Sequence, residues 1–102
     1  MKKCRSVKFD DPTAEILDHR ESRYGRFATQ AVTAQTLKDT LHQVAVERML
    51  DVFAPDMLEA LDLICTKLSR IVHGDPTVLD SWDDIAGYAR LVADRLRGGA
   101  HV

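Results

Sequence analysis

Helix-stopping residues are few in this chain, and nearly all of them fall between apolar repeats. It has three prolines and five glycines in 102 residues. Proline removes a backbone donor, and glycine costs about 1 kcal/mol inside a helix. Pro12, Gly25, Pro55, Gly74 and Pro76 therefore divide the sequence into long stretches that helices can occupy without interruption, which favours helices over a strand-and-turn fold.

The first stretch carries a complete start signal. Asp11 is placed to cap, Pro12 to occupy the first helical position, and Glu15 to meet the positive end of the helix dipole. Gly25 ends it. The second helix has Thr29 as a candidate cap and a stripe of Leu37, Leu41 and Val44. Met49 and Val52 extend that stripe to a stop before Pro55. In the third, Met57, Leu61, Ile64, Cys65, Leu68 and Val72 share one broad apolar face, and Gly74 closes it. The fourth spans roughly residues 81–97, with a seam of Ile85, Ala89, Val92 and Leu96. The expected fold is all-α, a compact bundle of about four helices in one domain over residues 11–97, with a basic tail at 1–10 and a frayed end at 98–102. Several apolar stripes on short helices point to completion by association into a homo-oligomer.

Composition narrows the function. A net charge of −2 gives no electrostatic case for nucleic acid as a partner. Two cysteines make no disulfide framework and fit a reducing, cytoplasmic setting. No apolar run approaches the ~20 residues that span a bilayer. The histidines lack the spacing of a zinc site, and neither a phosphate-binding glycine loop nor a nucleophile elbow is present.

The chemically suggestive residues are acids. Glu59 and Asp62 lie three apart on the third helix, so both carboxylates project to one side. Asp80, Asp83 and Asp84 crowd beside Trp82, the only tryptophan. Asp80 suits an N-cap with Asp83 completing a capping box. Asp84 falls at the edge of the apolar seam, where an unpaired carboxylate is costly; its expected partner is Lys67, Arg70, Arg20 or a metal. Gly87, inside the same helix, suits close approach of another backbone or a ligand. The acids read either as caps and surface charge or as ligands gathered for a divalent ion.

Three segments, "ILDHRESRYGRF", "LDLICTKLSRIVHGDP" and "DSWDDIAGYARLV", resemble a group of small phage and prophage helical proteins of unassigned function. The matching residues are Arg20, Tyr24 and Gly25, then Lys67, Leu68, Arg70 and Ile71, then Asp80 to Trp82 and Asp84 to Ala89. More distantly, the layout is similar to the MazG-type all-α nucleoside triphosphate pyrophosphohydrolases. That likeness implies Mg²⁺ or Mn²⁺ held by Glu59, Asp62, Asp80 and Asp84. It also implies nucleotide phosphates met by Arg20, Lys67 and Arg70, and a base stacked on Tyr24 or Trp82. Aspartate stands for glutamate in three of those places, which shortens the reach. The leading expectation is accordingly a non-catalytic phage-type module that binds a host protein as an accessory or inhibitor. A Mg²⁺-dependent nucleotide-binding or pyrophosphohydrolase-like protein is the alternative.

Overall fold

In a computed structural model that describes residues 11–49 and 52–98, four helices are packed against one another and the described residues form no strand. The expectations for residues 1–10 and 99–102 lie outside the described residues. Helix α1 spans Pro12–Tyr24, α2 Phe27–Glu47, α3 Pro55–His73 and α4 Leu79–Leu96. No helix of the described residues is long and apolar enough to cross a membrane.

The first helix begins as its sequence dictates. Asp11 accepts a hydrogen bond from the Thr13 amide at 3.0 Å, Pro12 follows, and Gly25 closes the end at φ 82°. Two other boundaries differ from expectation. α2 starts at Phe27 rather than after Thr29, whose hydroxyl lies in the first turn and donates to the Arg26 carbonyl. It also stops at Glu47, because Met49 takes a left-handed conformation at φ 71°. A side-chain-bearing residue rarely adopts that geometry, and it ends the helical path well before Pro55.

The expected cap of α4 is corrected too. The helix begins at Leu79 without a side-chain cap, leaving Asp80 in its first turn. Entry is organised earlier, by Asp75. Its carboxylate accepts from the Thr77 amide at 2.9 Å and the Thr77 hydroxyl at 2.6 Å. That local turn sets the direction of the chain, so Asp80 and Asp83 do not form a capping box.

The helices form an open layer with α3 in the middle, flanked by α2 and α4. Small residues let α2 and α3 approach. Ser69 is fully buried and donates to the Gln30 carbonyl; Ala34, Ala45 and Cys65 are buried as well. On its opposite flank α3 meets α4, where Arg95 pairs bidentately with Asp56, one of its bonds measuring 2.7 Å. α1 buries none of its own residues.

Consequently the apolar stripe of α3 is not the covered face. At about 100° per residue, Cys65 and Ser69 turn to α2 and Ala60 and Ile71 to α4. Met57, Leu61, Leu68 and Val72 lie between the two flanks. Leu61 and Leu68 keep 38% and 39% of their surface exposed, and Val72 keeps 71%. Among the described residues, the buried apolar set is Ala34, Ala45, Ala60, Cys65, Ile71 and Val78, mostly small residues. The front of the layer is open.

One junction ties the α1–α2 turn to the end of α3. The α1–α2 turn and the C-terminus of α3 meet backbone to backbone at Gly25 and Gly74. A β-carbon on Gly25 would press on the main chain of His73, and one on Gly74 on that of Arg23 and Tyr24. The Asp75 amide donates across this contact to the Arg23 carbonyl at 2.8 Å.

Among the described residues, two carboxyls are held below the ordinary carboxylate range. For Asp56 the main cause is its hydrogen bonding with Arg95, and for Asp75 its hydrogen bonds from Thr77. A depressed folded-state pKa contributes stability above the unfolded value, about 3.9 for aspartate. That contribution is lost as pH falls through the lower folded value. Urea midpoints should therefore drop on acidification from about pH 5 to pH 2. Asp56→Asn should flatten part of that decline.

Candidate functional site

The four acids expected to gather a metal are directed to separate places. Asp62 meets the His42 ring of α2 at 3.2 Å, Asp80 meets Arg23 at 3.5 Å, and Asp84 meets Lys67 at 3.0 Å. Glu59 lines a different cleft, with Asp56, Leu63, Tyr88 and Leu91. Among the described residues, no three of histidine, cysteine, aspartate and glutamate are grouped so as to hold a metal ion. The two acids of α3 diverge, Asp62 toward α2 and Glu59 toward α4, while the two of α4 reach α1 and α3 respectively.

Asp84 illustrates the local logic. It sits beside the α4 seam and reaches the ammonium of Lys67, one of its expected partners; that side chain is only 14% exposed against 45% for Asp84. The pair is half-screened. Removing the carboxylate leaves a largely buried cation short of a partner, at a cost between that of exposed and fully buried pairs. Asp84→Ala should therefore lower stability by about 1–2 kcal/mol, while exposed Asp83→Ala should stay within about 0.5 kcal/mol. Parallel urea titrations measure both. Equal losses would contradict the pairing.

Gly87 has open space where a β-carbon would stand. Its expected role in letting another backbone approach is therefore not fulfilled inside the described residues. It lies on the outer side of α4 in a shallow depression with Asp84, Tyr88 and Leu91. Trp82 is half-exposed and donates from its indole nitrogen to the Pro76 carbonyl at 2.8 Å, which anchors the loop before α4.

The expected phosphate-binding residues divide. Lys67 is engaged by Asp84, but Arg20 and Arg70 converge on Tyr24. Their guanidinium carbons lie 5.3 and 5.1 Å from the ring centroid. Arg23 joins them at 5.4 Å; it was not among the sequence candidates, and its position directly before Tyr24 gives no periodic signal. Cations over a tyrosine face are attracted by the ring quadrupole. Three of them on one ring also concentrate positive charge, of which only Arg23 has a described carboxylate partner, Asp80. The Arg70 Nε is buried without a hydrogen-bond partner among the described residues.

Beside this cluster opens a cleft of about 290 Å³ lined by Leu17, Arg20, Glu21, Tyr24, Gly25 and Phe27, with Gln30 at its floor. Phe27 stands 79% exposed at its rim. Cys65, by contrast, is a core residue, and burial pushes its thiol pKa up, away from the reactive thiolate.

Fold and site together define a small all-α layer with an open apolar front and a basic, aromatic cleft at one end. No protein-family model matches the chain, and no curated protein or solved structure is significantly similar to it.

Proposed function

We propose that this chain is a non-catalytic binding module that acts by holding a protein, as an accessory or inhibitor. The sequence resemblance sets that role in the cytoplasm of a phage-infected or lysogenic bacterium, with a host protein as the target. The observation that carries the reading is the α1–α2 cleft. An exposed aromatic, Phe27, stands beside Tyr24 and a cluster of guanidinium groups. Tyrosine, phenylalanine and arginine are the residues enriched where proteins bind one another. The cleft suits a segment offering an apolar side chain and a neighbouring carboxylate.

The test is affinity capture from host lysate with the unaltered protein and with Phe27→Asp. A discrete protein retained by the first and lost by the second is the expected result. Retention that ignores Phe27 would contradict the assignment of the cleft.

The second reading, a nucleotide-binding protein, draws on the same arginines, which suit phosphate as well as carboxylate. Its metal, Mg²⁺ or Mn²⁺, would require Glu59, Asp62, Asp80 and Asp84 to leave their separate neighbours and converge. The binding-module reading predicts that neither metal at millimolar concentration raises the melting temperature, with or without nucleoside triphosphate. A metal-dependent upward shift by linkage, abolished by Asp62→Asn, would favour the nucleotide reading instead.

A further inference from the structure

The front of the layer poses a separate problem from the cleft, because it lies on α3 and α4 rather than at the α1–α2 end. Met57, Leu61 and Ile64 of α3 line a groove with Ala89, Val92 and Leu96 of α4, and exposed Leu68 and Val72 extend the apolar face along α3 beyond it. Leu96 is 62% exposed. Among the described residues, no charged side chain lines the groove. The ion pairs along the flanks, Asp56–Arg95 and Lys67–Asp84, are formed within the chain, so they do not call for a charged partner.

We propose that this front docks a second copy of the chain about a two-fold axis, closing α3 and α4 of each protomer into a four-helix core. Spacing supports the choice of occupant. On α3 the apolar positions 57, 61, 64 and 68 step by four, three and four, and on α4 positions 85, 89, 92 and 96 do the same. That alternation is the seam of knobs-into-holes packing. The complement of two such antiparallel seams is another pair of them, and the chain itself carries that pair. A two-fold axis sets each α3–α4 pair against its own copy, as an isologous interface requires.

Area supports it as well. Helices of 19 and 18 residues are each about 28 Å long, and two side by side are about 20 Å wide. The footprint is therefore nearly 600 Å² in projection, and larger as accessible surface. A standard interface takes about 800 Å² from each partner. The front is thus of the size a stable dimer uses. It also supplies the large aliphatic burial that the small residues inside one protomer do not.

The experiment is sedimentation equilibrium of the full chain from low to high micromolar concentration, beside Leu68→Glu and Leu96→Glu. The unaltered protein should be dimeric, and each substitution should weaken association on the order of a hundredfold while circular dichroism keeps its helical signal. Val32→Glu, on an exposed site of α2, should leave the dimer intact. If the glutamate variants lose helix, Leu68→Cys in a Cys4→Ser background decides by cross-linking with a long, flexible bismaleimide. A cross-linked dimer supports the two-fold front, and its absence overturns it. A monomer throughout, a dimer insensitive to both glutamates, or a monomer whose Leu68 front instead binds lipid vesicles would each overturn the proposal. None of these outcomes depends on Phe27, so the cleft reading stands or falls separately.

Discussion

Gly74→Ala should be the most damaging small substitution in this protein, lowering stability by about 3 kcal/mol or more. The added methyl has no flexible side chain to displace. It meets the main chain of Arg23 and Tyr24, all within a contact where real β-carbons are essentially never found. Relief requires the α1–α2 turn to move away from the end of α3. That movement would break the Asp75 amide to Arg23 carbonyl bond and shift Arg23 away from Asp80. Gly87→Ala is the contrasting case. Its methyl meets nothing, so the substitution should gain the helix propensity of alanine, about 0.5–1 kcal/mol. Guanidinium midpoints of the two variants should move in opposite directions. A neutral Gly74→Ala would mean that the two glycine turns do not touch.

Ser69→Leu should carry the second large loss, about 3 kcal/mol. Ser69 has no exposed surface and spends its hydroxyl on the Gln30 carbonyl. A leucine there would both remove that bond and force α2 away from α3 across a face built of Ala34, Ala45 and Cys65. Ser69→Ala removes only the hydrogen bond and should cost about 1 kcal/mol. Equilibrium unfolding of the pair separates the two contributions. Equal costs would mean the helices are not closely apposed at this point.

Ser69 also shows where the sequence was readable and where it was not. The four helices were legible because their ends carry local chemistry, such as Asp11 with Pro12 and Gly74 after His73. So was the need of Asp84 for a partner, since an acid at a seam edge must be satisfied, and Lys67 was among the cations able to do it. The covered face of α3 was not legible. A helical wheel reports where apolar side chains point and says nothing about which side a neighbour occupies. Here the neighbours took the flanks, where Ala60, Cys65 and Ser69 are small enough to permit close approach, and left Leu61 and Leu68 between them. The early end of α2 escaped notice because Met49 adopts a conformation for which methionine gives no cue. The dispersal of the four acids follows from the same arrangement: Asp62 faces α2, Asp80 reaches Arg23 of α1, and Glu59 and Asp84 sit at different points along the α3–α4 junction.

The open front of α3 is the centre of this account, and side-chain footprinting with a carbene reagent tests it most directly. Labelling should be read at a dilution where sedimentation shows a monomer and again at high concentration. Met57, Leu61, Leu68, Val72 and Leu96 should be labelled in the dilute protein and protected as concentration rises, while Phe27 is labelled in both. Low labelling of Leu61 and Leu68 in a demonstrated monomer would show that the chain covers its own front, and would contradict the open layer itself.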